Sequence, residues 1–258
     1  MRMGYRGVSA GRLLLCFVVA IASSRALAAK KAAPKKAVEV STVKPVTTAN
    51  AEPADNRLTL EKFEGVNNEA DLVAHGWKGG QEKDGKFDHS IQKENGTTFL
   101  RESYIVGSEA LYRYKEVEWD VNVYPYVTWR WRARQFPARA KVLDSKVSDA
   151  AAQVYMLWKK GRRSFVIKYF WSAGDQPGDV MKQSSFIFGS LYGLVLRNNT
   201  TPIEWVRETR NVREDYRLAF GDYPTTNARG IGVLSDGDET KSASEADFAD
   251  FEAMKQLP

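Results

Sequence analysis

The sequence predicts an all-β fold, a two-sheet jelly-roll sandwich with one short helix, on the basis of three observations. Apolar and polar residues alternate along many short runs, turn residues separate these runs, and a single run has helical spacing. Roughly ten or more short strands at such intervals are typical of sandwiches and jelly rolls. The chain has 258 residues, which is enough for one large domain or two small ones.

Residues 1–28 are predicted to be a secretory signal peptide. A basic start is followed by an apolar stretch at 13–22 and then by the cleavage signature Ala26-Leu27-Ala28. The stretch is too short for an uncleaved membrane anchor, and no later stretch approaches the ~18 apolar residues of a membrane span. We therefore expect cleavage near Ala28, a periplasmic or secreted protein, and no membrane span in the mature chain.

Residues 29–56 are predicted to be a disordered linker rich in Ala, Lys and Pro, because the segment has too few apolar residues to offset its ordering entropy. The formal net charge is +6, and all of this surplus lies before residue 57. Residues 57–258, the predicted sandwich domain, hold 29 basic and 29 acidic residues. A domain without net positive charge lacks the electrostatic signature of a nucleic-acid binder, so no nucleic-acid partner is expected.

The clearest predicted strands lie at 126–132 and 165–171, where alternate positions are apolar and large. The sequence Lys159-Lys160-Gly161-Arg162, between two apolar runs, predicts a tight hairpin. Other runs with strand character are 58–63, 97–103, 152–158, 191–197, 203–208 and 230–234.

One helix is predicted to begin after Asn211. Asn211 and Glu214 have the spacing of a capping box, and Gly221 stands where a glycine ends a helix. The apolar residues between them fall on one helical stripe, formed by Val212, Tyr216, Ala219 and Phe220.

Several short motifs mark the body of the chain, and the most specific of them lie between residues 205 and 240. They are Trp129-Arg130-Trp131-Arg132, 149–155, Tyr169-Phe170-Trp171, Trp205, 210–216, Phe220-Gly221 and 235–240. On these motifs, the chain from about residue 58 to its end resembles a family of exported bacterial proteins of uncharacterised function. The resemblance implies a jelly-roll sandwich like that of carbohydrate-binding modules, and it implies no reaction. The chain departs from the family pattern at Ser148-Asp149, where two acids are usual, and at Glu239, where Asn is common.

Five residues around strand 126–132 and its neighbours are candidates for glycan binding. Indole rings offer flat apolar faces for stacking, which suggests Trp129, Trp131 and Trp171, although aromatic residues at strand spacing more often fill a core. Arg130 and Arg132 lie on the opposite face, where they could clamp an acidic sugar or pair with acids across the sheet.

Polar residues elsewhere complete the candidate sites. Arg210 and Asp149 are candidate binding residues, with an Arg210–Asp215 ion pair that fixes helix to sheet as the alternative for Arg210. Asp236 and Asp238 follow a predicted strand in an oxygen-rich loop and are candidate ligands for a structural Ca²⁺, with a polar turn as the alternative. No other cofactor is expected.

Three functions are compatible with these features. The leading hypothesis is an exported, non-catalytic carbohydrate-binding-like module of the cell envelope, whose partner is a glycan or envelope polymer. The alternatives are a polysaccharide hydrolase or lyase that uses paired carboxylates, and a structural or assembly protein of the envelope. An exposed aromatic groove favours the first, facing carboxylates of raised pKa favour the second, and a flat apolar patch favours the third.

Overall fold

The computed structural model describes residues 56–80, 82–83, 86–185 and 189–257. The predicted signal peptide and all of the predicted linker except Asn56 lie outside these ranges. No helix within them is both long and apolar enough to cross a membrane. The described part contains fifteen strands and two short helices, which confirms the prediction of an all-β, two-sheet jelly roll.

The elements follow the chain from Arg57 to Met254. The helices are α1 (Glu69–Ala74) and α2 (Val212–Phe220). The strands are β1 (Arg57–Glu61), β2 (Trp77–Gly79), β3 (Glu82–Lys83), β4 (Lys86–Phe87), β5 (His89–Glu94), β6 (Thr97–Ser103), β7 (Arg113–Trp119), β8 (Tyr126–Gln135), β9 (Ala152–Lys160), β10 (Arg163–Trp171), β11 (Val180–Ser185), β12 (Gly189–Arg197), β13 (Val206–Asn211), β14 (Ala228–Leu234) and β15 (Glu245–Met254).

Two large sheets make up the fold. The six-stranded sheet has the order β13-β8-β15-β6-β5, and β1 pairs with the second half of β15. The seven-stranded sheet has the order β11-β12-β10-β9-β14-β7-β2, in which β10 and β12 are parallel. Strands β3 and β4 form a separate ribbon, and Gly161-Arg162 makes the predicted tight turn between β9 and β10.

The main core lies between the two sheets and is built largely from aromatic rings. Trp129 of β8 stacks on Tyr169 of β10 with ring centroids 5.2 Å apart, and Trp131 meets the edge of Trp171 at 5.4 Å. All four side chains are fully buried. Such rings bury large apolar areas and favour these offset and edge contacts, so they fix how the sheets pack together.

The seven-stranded sheet also carries side chains on its outer face, the face turned away from the other sheet. Because side chains alternate along a strand, the neighbours of the core residues point outward. The strand pairings place Tyr114, Gly232, Tyr155, Lys168, Gly193 and Met181 in one row across β7, β14, β9, β10, β12 and β11. A Cβ atom at Gly193 would come within 2.5 Å of the Phe170 ring, so a glycine there lets this ring lie close to the sheet.

The predicted helix is confirmed as α2. The Asn211 side chain accepts a hydrogen bond from Glu214 N at 3.0 Å, and the helix ends at Gly221 with φ +98°. The prediction of a single helix is wrong, because Asn68 caps the additional six-residue helix α1 through Asp71 N. The predicted strand at 203–208 instead begins at Val206, after the bends that follow Pro202.

Strand β15 was not predicted, although it lies near the middle of the six-stranded sheet. Its sequence, EADFADFEAM, mixes acids with alanine and shows no simple alternation. The fully buried Asp247 is compensated by arginines of neighbouring strands, with Arg101 at 2.7 Å and Arg132 at 2.6 Å. Asp250 has a positive φ of 54° within an irregular stretch of the pairing to β8, which shifts the alternation.

Candidate functional site

The structure corrects the suggested role of three tryptophans. Trp129, Trp131 and Trp171 all lie between the sheets, and no fraction of their surface is exposed. An indole in this position has no ring face left for a sugar. These three tryptophans fill the core, which was the alternative interpretation of aromatic residues at strand spacing.

Arg130 and Arg132 lie on the outer face of the six-stranded sheet, where they pair with acids of other strands. Arg130 contacts Asp250 at 3.0 Å, and Arg132 contacts Asp247 at 2.6 Å. Both guanidinium groups also lie over the Trp205 ring, at 4.8 and 4.7 Å from its centroid. The two arginines therefore pair with acids across the sheet, which was the alternative to ligand binding.

Arg210 and Asp215 form the ion pair that was the alternative for Arg210. The guanidinium donates to both carboxylate oxygens, at 2.9 and 2.6 Å, and the Tyr169 hydroxyl donates to the same carboxylate at 2.6 Å. Burial lowers the pKa of Arg210, but its contacts with Asp215 outweigh that effect and raise it. The pair connects α2 to strands β13 and β10, which is an architectural role.

Four carboxylates come together at one end of the seven-stranded sheet, and we call this group the acidic site. Asp149 precedes β9, while Asp236, Asp238 and Glu239 lie in the loop between β14 and β15. One carboxylate oxygen from each residue lies within 4.8 Å of the others. Asp149 is fully buried and the other three are half-buried, so the site is partly accessible to solvent.

Hydrogen bonds to Asp149 hold the β14–β15 loop in this arrangement. Its carboxylate accepts from Glu239 N at 3.1 Å, from Thr240 N at 2.7 Å and from the Thr240 hydroxyl at 2.6 Å. Gly237 is required by a close approach, because a Cβ there would lie 2.0 Å from the carbonyl oxygen of Ser242. These contacts fix where the acids of the loop lie relative to Asp149.

Lys168 is the cation beside the acidic site. Its side chain is 7% exposed on the outer face, and its ammonium lies 4.7 Å from the centroid of the Tyr155 ring. The ammonium donates no hydrogen bond to the described residues and has no described carboxylate oxygen within 4.0 Å. Burial lowers its pKa to about 8, against the opposing effect of the charges of Asp236 and Glu239.

The carboxyl groups of the acidic site have strongly shifted pKa values. Burial, followed by the charges of Asp238 and Asp149, raises the pKa of Asp236 to about 8. Burial and the contacts with Asp238 and Asp149 raise the pKa of Glu239 to about 10. These shifts are typical of functional sites, because crowded carboxylates bind a proton or a cation readily.

Two polar side chains extend the acidic site along the outer face. The Gln153 amide lies 3.4 Å from Asp236 Oδ2 as a donor, and the Tyr155 hydroxyl donates to Gln153 Oε1 at 2.9 Å. Tyr155 in turn stacks on Tyr112 with ring centroids 5.2 Å apart. Carboxylates, an ammonium, an amide and aromatic rings thus adjoin one another on a single sheet face.

The structure brings together three of the nine residues suggested by the sequence, namely Asp149, Asp236 and Asp238. Sequence reasoning missed Glu239 and Lys168 as members of the site. The sequence did contain a signal for Lys168. It is the one charged residue in the apolar run from Phe165 to Trp171, and a charge there must face something other than the core. The acidic site can bind a cation, exchange hydrogen bonds with hydroxyl groups, or hold a proton.

Comparison with known proteins gives one family and many similar structures. The sequence profile of DUF3047, described as a protein of unknown function, matches residues 76–252. No curated protein matches the sequence.

Similar solved structures include carbohydrate-binding modules and a cellulase. A family 11 carbohydrate-binding module of Clostridium thermocellum is 11% identical, with 78% of this chain and 97% of that chain covered and a TM-score of 0.40. The endoglucanase Cel12A of Rhodothermus marinus is 14% identical, with 72% and 95% covered and a TM-score of 0.40. At these scores the likenesses carry no argument about function.

Proposed function

Since the chain belongs to the DUF3047 family of proteins of unknown function, we propose its function from its own residues: it is an exported, non-catalytic glycan-binding protein of the cell envelope. The ligand contacts the acidic site and the adjoining outer face of the seven-stranded sheet. The observation that carries this proposal is the Lys168 side chain, which is 7% exposed, donates no hydrogen bond to the described residues and lies beside half-exposed carboxyl groups.

A sugar fits the chemistry of this surface because each hydroxyl both donates and accepts hydrogen bonds. The carboxyl groups of Asp238 and Glu239 offer acceptor oxygens, and the ammonium of Lys168 donates, so neighbouring hydroxyls of one sugar find both kinds of partner. Hydrogen bonds to charged groups are the stronger ones. A buried donor that receives its acceptor only from the ligand also makes binding selective, because leaving it unpaired is costly.

An aromatic surface adjoins these charges. Tyr114 is half-buried on β7, in the same row as Lys168, and its ring lies 5.5 Å from that of Tyr112. Aromatic rings beside polar groups suit the faces and hydroxyl edges of a sugar ring. The acidic site and Tyr114 together define a binding surface that extends along the sheet.

The test is a glycan-array screen of the mature chain, followed by calorimetry on each positive glycan. We expect Lys168→Met and Tyr114→Ala to weaken binding about tenfold or more, the effect of losing one charged hydrogen bond or one aromatic contact. Lys160→Met and Tyr223→Ala change exposed residues elsewhere and serve as matched controls. Binding that survives in both site variants contradicts the proposal.

A polysaccharide hydrolase is the second candidate, and the raised pKa values of Asp236 and Glu239 favour it. A carboxyl that keeps its proton at neutral pH can act as a general acid. Glycosidase pairs stand ~5–5.5 Å or ~6.5–9.5 Å apart, and the clustered carboxyl groups, whose nearest oxygens lie within 4.8 Å, are compatible only with the shorter spacing. Analysis of the products distinguishes the two functions. If incubation with a glycan yields new reducing ends, and Glu239→Gln abolishes them, the protein is a hydrolase and not a non-catalytic binding protein.

Export is tested separately from ligand binding. The order of basic start, apolar stretch and Ala26-Leu27-Ala28 supports cleavage after Ala28. N-terminal sequencing of the protein from a periplasmic or culture fraction should then begin at Ala29. A chain that retains Met1 in a membrane fraction contradicts export with cleavage.

A further inference from the structure

The acidic site places four carboxyl groups where one ion could contact all of them. One oxygen from each residue lies within 4.8 Å of the others, and the charge of Lys168 acts on Asp236 and Glu239. Its ammonium stays more than 4.0 Å from every described carboxylate oxygen. Among the described residues, Lys168 therefore forms no ion pair with these carboxyl groups.

Lys168 is an observation independent of the acids, and it indicates a ligand. Lys168 is 7% exposed and comes from β10 rather than from the acidic loop, and its charge acts on Asp236 and Glu239 although it forms no ion pair with them. Its ammonium lies beside the Tyr155 and Phe170 rings, and a shielded ammonium that donates no hydrogen bond to the described residues gains from an acceptor. An oxygen-bearing ligand at the acidic site would supply that acceptor, and the same oxygen could complete the coordination of a cation.

The spacing of the carboxylates allows one cation to contact all four. Oxygens on opposite sides of Ca²⁺ are at most ~4.6–5.2 Å apart, twice its usual bond length. One oxygen from each of the four residues lies within 4.8 Å of the others, which is within the reach of a single Ca²⁺ ion. Half-exposed Asp238 and Glu239 also leave room for water or ligand oxygens, which Ca²⁺ needs to reach its usual ~6–8 ligands.

We propose that the acidic site binds one Ca²⁺ ion through the carboxylates of Asp149, Asp236, Asp238 and Glu239. The hydrogen bonds that Asp149 accepts from residues 239 and 240 fix the loop, and Asp238 Oδ2 accepts from Ala110 N at 3.1 Å, so the ligands are positioned before the ion arrives. The ion ties the β14–β15 loop to the start of β9. This inference stands apart from glycan binding and is tested with the metal alone.

The experiment is a calorimetric titration of the chelator-treated mature protein with CaCl₂, paired with thermal unfolding in calcium and in chelator. We expect one ion per chain and a higher Tm in calcium, since a ligand bound only to the folded state stabilises it. Asp238→Asn and Glu239→Gln should each weaken calcium binding about tenfold or more, because affinity follows the number of charged ligands. MgCl₂ should bind more weakly than CaCl₂.

Matched controls separate the site from general charge effects. Asp222→Asn and Glu204→Gln remove exposed carboxylates outside the acidic site and should bind calcium like the wild type. Two site variants are used because one of them can fail to fold. No heat and no Tm change at millimolar calcium overturns the proposal, as does wild-type affinity in whichever site variants fold.

Discussion

Asp215 and Asp236 are both shielded carboxylates next to the seven-stranded sheet, but their surroundings differ. Asp215 is 4% exposed and receives two hydrogen bonds from Arg210 and one from Tyr169. Asp236 faces three other carboxylates and receives only long contacts, from Asp238 N at 3.3 Å and Gln153 Nε2 at 3.4 Å. A carboxyl group that already has a cationic partner belongs to the architecture, while one without such a partner remains available to a ligand.

The energetic reason is the cost of removing charge from water. At Asp215 that cost is offset by contact with a guanidinium and a hydroxyl, which hold the carboxylate in place. At Asp236 no such contact exists, and burial beside like charges raises its pKa to about 8. Substitution of Asp215 should therefore lower the free energy of unfolding, whereas substitution of Asp236 should leave it unchanged or raise it.

The largest effect is expected from Tyr216→Ala, which removes the aromatic anchor that keeps α2, and with it Asp215, against the sheet. Tyr216 is 7% exposed and meets Trp158 at 5.1 Å and Phe220 at 4.7 Å. Its loss should cost about 3–5 kcal/mol of unfolding free energy, as for other buried aromatic residues. Denaturant unfolding measures this value, and a loss below about 1 kcal/mol would show that α2 is not anchored by its stripe.

The second largest effect is expected from Asp215→Ala, which breaks the ion pair with Arg210. Asp215→Ala leaves the Arg210 guanidinium and the Tyr169 hydroxyl without their partner, at a cost of about 3 kcal/mol, the lower end of the range because Arg210 is partly exposed. The double variant with Arg210→Ala should lose less than the sum of the single variants. Additive losses would mean that the two residues act separately.

The same contrast explains what the sequence could predict. Alternation along 126–132 and 165–171 reflects a buried face, which is a local property, and so β8 and β10 were found. The cap of α2 is also local, within four residues of Asn211. Strand β15 escaped because its charge at Asp247 is compensated by arginines about 115 and 146 residues away, contacts that no local pattern contains.

The acidic site was predictable only in part for the same reason. The loop at 236–240 has a recognisable oxygen-rich composition, so Asp236 and Asp238 were identified as candidate metal ligands. Their approach to Asp149 and Lys168 depends on how β9, β10 and β14 pair, which is set by the whole sheet. The prediction for the three tryptophans was wrong because alternation shows only that one face of a strand is apolar. A buried core and an exposed sugar-binding surface both have such a face.

A smaller effect is expected from Asn211→Ala, which removes the cap of α2 and so loosens the element that carries Asp215. The lost hydrogen bond to Glu214 N should cost about 0.5–2 kcal/mol. Asn199→Ala, at an exposed position, is the matched control. Glycan and calcium binding should stay unchanged in the folded variant, and a selective loss of binding would instead assign α2 to the ligand surface.

The smallest effect is expected from Asp236→Asn in the presence of chelator, and it is the sharpest test of the contrast with Asp215. The amide keeps the shape of the side chain and an oxygen that can accept from Asp238 N, but it removes a carboxyl group whose ionisation is opposed by burial and by its acidic neighbours. The unfolding free energy should stay within about 0.5 kcal/mol of the wild type or rise, because relieved repulsion offsets any weakened contact. In calcium the same variant should be the less stable of the two, since it has lost a ligand of the ion. A loss in chelator comparable to that of Asp215→Ala would show that Asp236 is already paired, with Lys168 as its structural partner, and the acidic site would then be part of the framework.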